Sequence, residues 1–145
     1  MVPVVSSCRK ESPTPRVTIN GRTWYVDLAT TPQQRARGLS GRSRLSEDVG
    51  MLFIYPRPRM LEFCMRGCRI PLDIAFIDAD LRIVNICTMA VEPDLAGRVL
   101  YRSKKPARYA LEVAAGAFQR VRVGAGDAVV LSGEFPEAVK EASNP

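Results

Sequence analysis

The apolar residues of this chain fall into short runs, and a turn signal follows each run before a long helix could form. Val17-Thr18-Ile19 and Thr23-Trp24-Tyr25-Val26 flank Asn20-Gly21, a two-residue hairpin signal because both central positions accept a positive φ. The runs at 72–77 and 82–86 flank a second turn, Asp78-Ala79-Asp80. Four further runs, at 51–55, 62–65, 109–113 and 128–131, are bounded by Pro, Gly or charge. One segment reads as helix. Thr31-Pro32-Gln33-Gln34 combines an N-cap, a proline at the first helical position and a capping-box glutamine. That predicts a short helix over about 32–37, ending at Gly38. Many short strands with little helix predict a mainly β, mainly antiparallel domain, built as a β-sandwich or a partly closed barrel.

The 145 residues suit one domain. Residues 1–15 hold three prolines and no apolar periodicity, so they read as a disordered lead. The domain is expected at 16–135, followed by a flexible tail at 136–145. No run approaches the ~18 apolar residues of a membrane helix. The apolar stretch in the lead is too short for a secretory signal. Val5-Ser6-Ser7-Cys8 is nevertheless similar to a lipoprotein cleavage site whose leader is missing. Both a cytoplasmic and an exported location therefore stay open, as does the oligomeric state.

The chain contains no histidine, which removes Ser-His-Asp and Cys-His nucleophile systems and the HExxH zinc site. The net charge is +6, and 17 of the 21 cations are arginine. Arginine suits carboxylate and phosphate recognition, although a GC-rich genome also enriches it. Between Arg35 and Arg69 eight arginines face three acids, so most of the imbalance sits there. Lysine runs, interleaved aromatics and reader motifs are lacking, and nucleic-acid binding is not expected.

The cysteines are Cys8, Cys64, Cys68 and Cys87. On a straight strand Cys64 and Cys68 would stand ~13 Å apart, beyond a disulfide's reach of roughly 7 Å. Gly67 between them could fold the chain back. A CxxxC with neither histidine nor a second pair is a poor zinc signature. Reduced thiols are expected, with Cys64 and Cys87 buried. No metal or cofactor is implied, and Asp78 and Asp80 are explained by turn chemistry without calcium.

Taken in order, several segments carry a resemblance: Gln34-Arg35-Ala36-Arg37-Gly38-Leu39 with Arg42, Gly50-Met51-Leu52-Phe53, Phe63-Cys64-Met65-Arg66, and Ile70-Pro71-Leu72-Asp73-Ile74-Ala75-Phe76-Ile77. Ser103 with Pro106-Ala107, Ala110-Leu111-Glu112-Val113 with Gly116, and Gly126-Asp127 complete it. The set resembles the family domain of unknown function 192 over roughly residues 24 to 131. The resemblance implies a compact, jelly-roll-like β-sandwich with a short helix after the first hairpin, and it implies no reaction. The family's usual piece after the phenylalanine is Trp-Met-Lys with a threonine two residues on. Here it is Cys64-Met65-Arg66-Gly67-Cys68, so a stacking wall is gone and two thiols have appeared.

Asp73 and Glu112 each interrupt an apolar strand, where an unpaired carboxylate would cost several kcal/mol. Either they brace loops through arginine or backbone N–H groups, or they border a cleft. The cleft reading expects Asp73, Glu112 and at least one of Arg37, Arg42 and Arg66 around one concave site, with Met65 as its floor. Met65 also suits a core position. Ser103 joins the candidate set, though no base adjoins it as a nucleophile would need. The expected function is a small, non-catalytic binding or accessory domain for a small polar or anionic molecule, saccharide-like ones included. Two alternatives remain open. Asp73 and Glu112 could be the acid and base of a hydrolase, which needs them ~5–9.5 Å apart across a groove. The domain could instead be an interaction module of an envelope assembly, marked by an exposed apolar patch.

Overall fold

A computed structural model of the protein describes residues 13–140. Most of the expected lead, Cys8, and residues 141–145 of the expected tail lie outside them. Strands take 41% and helices 11%, so the mainly β class holds. The first hairpin joins β1 (Arg16–Ile19) to β2 (Arg22–Ala29) through Asn20 at φ 50° and Gly21 at φ 78°. The helix α1 (Pro32–Arg37) starts as its sequence dictates. Gln34 N–H donates to Thr31 Oγ1 at 3.1 Å, and Thr31 N–H donates to Gln34 Oε1 at 3.2 Å. Gly38 ends it at φ 48°, where a Cβ would meet the Phe53 ring at 3.2 Å.

Beyond it follow β3 (Val49–Arg59), β4 (Glu62–Phe63), β5 (Leu72–Ile77), β6 (Ile83–Met89), β7 (Tyr101–Arg102) and β8 (Ala107–Ala114). The chain closes with α2 (Ala117–Arg120), β9 (Val130–Ser132) and α3 (Glu137–Lys140). Seven strands form one curled, half-barrel sheet in the order β6-β5-β8-β3-β2-β1-β9. β4 and β7 pair separately as a ribbon. Neighbours in the large sheet are antiparallel except β2 and β3, which run parallel. Residues 30–48 make this possible, because they are long enough to carry α1 as a crossover.

Several boundaries differ from expectation: β4 stops at Phe63, β6 runs on to Met89, β7 is a strand within the expected connection, and β9 begins at Val130. β3 continues past Tyr55 through Pro56 and Pro58, but its pairing to β8 breaks between Ile54 and Arg59, where missing N–H groups do no harm. Residues 137–140 of the expected tail form α3, with Val139 buried.

The curled sheet carries a core on each face. One contains Trp24, Leu52, Tyr109 and Leu111, and is closed by Phe118, Phe135 and Val139. The other contains Phe53, Phe63, Met65, Ile74 and Phe76, and is closed by Leu39 and Cys68. All six residues of β5 are therefore buried, as expected of a strand covered on both sides. Phe63 meets Phe53 edge to face at 4.9 Å between centroids and Phe76 at 5.8 Å.

Candidate functional site

Strand register decides which acidic side chains share a face. Asp73 of β5 stands opposite Val113 of β8, and Glu112 stands opposite Ile74. Val113 belongs to one core and Ile74 to the other. Asp73 and Glu112 therefore project from opposite faces of the sheet. The expected single cleft bordered by both acids does not form, nor does an acid–base pair across one groove. A one-residue offset between paired strands is enough to separate them.

Asp73 is a bracing residue. Thr88 Oγ1 donates to its Oδ1 at 2.9 Å and Gly116 N–H donates to its Oδ2 at 2.8 Å, which ties β6 and the start of α2 to β5. It faces a shallow groove of about 650 Å³ with Asn85, Lys104, Gln119 and Arg122. Asp73→Ala leaves the Gly116 donor unpaired and is expected to lower stability by about 1–3 kcal/mol in chemical denaturation. An unchanged midpoint would contradict this bracing role.

Ser103 braces as well. Leu61 N–H donates to Ser103 Oγ at 2.8 Å, and Ser103 N–H donates to the Leu61 carbonyl at 3.0 Å. Its hydroxyl is buried in that clamp beside the β4–β7 ribbon. Met65 is fully buried in the aromatic core and is not a cavity floor.

Glu112 has different surroundings. It is 4% exposed, yet its carboxyl makes no hydrogen bond or ion pair with any described residue. It reaches a small cavity of about 50 Å³ bordered by Arg35, Arg37, Ser40, Cys64, Arg66 and Cys68, with Phe53 and Phe63 as aromatic walls. The three chain segments around this cavity are fastened together. Ser40 Oγ donates to the Arg66 carbonyl at 2.9 Å, Gly41 N–H to the Gly67 carbonyl at 2.9 Å, and Gly67 N–H to the Leu95 carbonyl at 3.0 Å. At Gly97, φ 72°, a Cβ would come within 2.7–2.9 Å of Arg66, so the loop after β6 presses directly on this segment.

The arginines differ in their freedom. Arg35 donates to the carbonyls of Thr30 at 2.7 Å and Ile54 at 3.1 Å, and lies over the Tyr55 ring. Arg66 Nε donates weakly to the Ala96 carbonyl at 3.4 Å. Arg37, at the end of α1, is exposed and pairs with no described residue. Arg42 forms an ion pair with Asp27 at 2.9 Å. It lies in a neighbouring groove of about 520 Å³, which shares Arg37, Gly38 and Ser40 with the Glu112 cavity. Of the expected residues, Arg37, Arg66 and Glu112 thus border one cavity, and Arg42 adjoins it.

Burial pushes the Glu112 carboxyl up to about 8, so it is protonated at neutral pH. It then offers one O–H donor as well as an acceptor. Burial, reinforced by the charge of Glu112, pushes the Cys68 thiol up to about 11 against the pull of the Ser40 hydroxyl. The three described cysteines are free thiols. Burial corrects one expectation: Cys64 and Cys87 are half-buried, and Cys68 is the buried one. Among the described residues no three His, Cys, Asp or Glu side chains converge as a metal set.

Sequence reasoning missed Arg35, Ser40, Phe53, Cys64 and Cys68 as cavity residues. Only the thiols carried a signal, as the replacement of an aromatic position next to Arg66.

The family domain of unknown function 192, described as Uncharacterized ACR, matches over residues 15–131. A crystal structure from Sinorhizobium meliloti, described as that of a candidate transcription regulator, is 33% identical, with a TM-score of 0.71. That alignment covers 86% of this chain and 97% of the other. A protein of unknown function from Novosphingobium aromaticivorans is 32% identical, with a TM-score of 0.73 over 90% of this chain and 91% of its own. No curated protein matches the chain. No described helix is long and apolar enough to cross a membrane.

Proposed function

We propose, from the premise that this chain belongs to the domain of unknown function 192 family, that it is a non-catalytic binding domain for a small anionic molecule. The observation that carries this reading is Glu112, buried, without a hydrogen-bond or ion-pair partner among the described residues, and facing a cavity that Arg37 and Arg66 border. No described residue hydrogen-bonds this carboxyl, so a ligand atom in the cavity can pair with it without displacing a protein contact. Protonated Glu112 supplies a hydrogen-bond donor, and the guanidinium groups supply charge and planar donor geometry suited to a carboxylate or phosphate group. The cavity compares with roughly 30 Å³ per molecule in liquid water, so it suits an anionic head of a few atoms. The groove beside Arg42 has room for the rest of the molecule.

Acetate is a suitable probe, because its carboxylate does not titrate near neutral pH. At constant ionic strength, acetate is expected to raise the Tm where chloride does not. The double variant Arg37→Ala, Arg66→Ala is expected to weaken acetate binding at least about tenfold, a loss of about 1.4 kcal/mol. Equal effects of acetate and chloride, or an undiminished effect in the double variant, would contradict the proposal.

A further inference from the structure

The Cys64-Met65-Arg66-Gly67-Cys68 segment has a chemistry that anion binding does not use. The chain turns back within it: Cys68 N–H donates to the Met65 carbonyl at 3.0 Å, and Gly67 takes φ 68°. This removes the separation of ~13 Å that an extended strand would impose on the two cysteines. Both thiols border the same cavity of about 50 Å³. They are close enough for charge on Cys64 to oppose ionisation of Cys68. Hydrogen bonds from Ser40 and Gly41 into the segment hold it in this shape.

We propose that Cys64 and Cys68 form a reversible dithiol–disulfide pair, oxidised by a hydroperoxide, with Cys64 reacting first and Cys68 resolving. The inference does not depend on which anion the cavity takes. The roles follow from access. Cys64 is half-buried beside the cavity, whereas Cys68 is 6% exposed and burial holds its thiol neutral. In the first step the Cys64 sulfur attacks the terminal oxygen of the hydroperoxide. An S–O bond forms, the O–O bond breaks, and the leaving alkoxide takes the thiol proton to become an alcohol. Cys64 is then a sulfenic acid. In the second step the Cys68 sulfur attacks the Cys64 sulfur. The S–S bond forms, the S–O bond breaks, and hydroxide leaves with the Cys68 proton as water. Two thiols have lost two electrons, and the hydroperoxide has been reduced by two. An external dithiol restores the pair by exchange.

Cys87 is half-buried too, but it does not border this cavity, so it serves as an internal comparison. The test uses the full chain treated with hydrogen peroxide, followed by alkylation, trypsin digestion and mass spectrometry. Cleavage after Arg66 and Arg69 places Cys64 and Cys68 in separate peptides, so a bridge between them is unambiguous. The expected result is an intact mass lower by two hydrogens, loss of two of the four titratable thiols, and a Cys64–Cys68 linked pair that dithiothreitol reverses. Cys68→Ser is expected to leave a sulfenic acid at Cys64 that dimedone traps. Stepwise oxidation of Cys64 to sulfinic acid while Cys68 stays free would overturn the proposal. So would a bridge to Cys87, to Cys8 or to a second chain, or no reaction at Cys64.

Discussion

Raising the pH from about 5 to about 8 is expected to destabilise the protein by on the order of 3 kcal/mol, and Glu112→Gln is expected to remove most of that loss. The Glu112 carboxyl rises from 4.5 to about 8 through burial, so the folded state holds a proton that the unfolded state releases across this window. Stability is fully present below pH 4.5, declines as the pH rises, and stops declining once the folded-state group has ionised above about 8. Glutamine keeps the shape and cannot ionise. The variant should therefore resemble the parent near pH 5 and exceed it at pH 8. Trp24 is the only tryptophan and is fully buried, so its fluorescence reports denaturant unfolding directly. Parallel pH dependence in both proteins would mean that Glu112 ionises at its ordinary pH.

Phe53→Ala is expected to cost about 3–5 kcal/mol. Phe53 is 1% exposed on β3, stacks edge to face on Phe63, and touches the turn at Gly38. Its removal leaves a void beside an existing cavity, in a strand that the flanking β2 and β8 keep from collapsing. It also removes one aromatic wall of the Glu112 cavity. The expected measurement is a large drop in the denaturation midpoint together with loss of the acetate effect. A cost below about 1 kcal/mol would mean that the aromatic core yields more readily than its packing implies.

The local elements of the fold were readable because their causes are local. Asn20-Gly21 fits its turn through backbone freedom, and Thr31 with Gln34 closes α1 by side-chain capping, whatever the rest of the chain does. Asp78 builds its own turn, accepting from Asp80 N–H at 2.9 Å and Arg82 N–H at 3.0 Å. The parallel pairing of β2 with β3 was not readable, since only the finished sheet shows where the crossover lands. Nor was α3, whose single hint is the spacing of Phe135 and Val139.

The site divides in the same way. Alternation along β5 places Asp73 opposite in sense to Leu72 and Ile74, and the structure agrees. How β8 slides against β5 is a property of two distant segments, and that slide puts Glu112 beside Ile74, away from Asp73. The arginine-rich stretch supplies the arginines of α1 and of the segment before β5 that border the cavity. It could not separate Arg37, whose side chain pairs with no described residue, from Arg42, which an exposed aspartate occupies. Such an exposed pair contributes roughly 0–1 kcal/mol, so it is weak competition for a ligand.

The proposed anion site rests on a Glu112 that is protonated and has no hydrogen-bond or ion-pair partner among the described residues. The most direct measurement is a carbon-13 NMR titration of the glutamate side-chain carboxyls, with Glu112 assigned through Glu112→Gln and the series repeated in acetate. The expected result is a Glu112 carboxyl that titrates near pH 8 and whose midpoint moves higher in acetate, because a bound anion opposes ionisation beside it. A Glu112 that titrates near 4.5, or that ignores acetate, would contradict it.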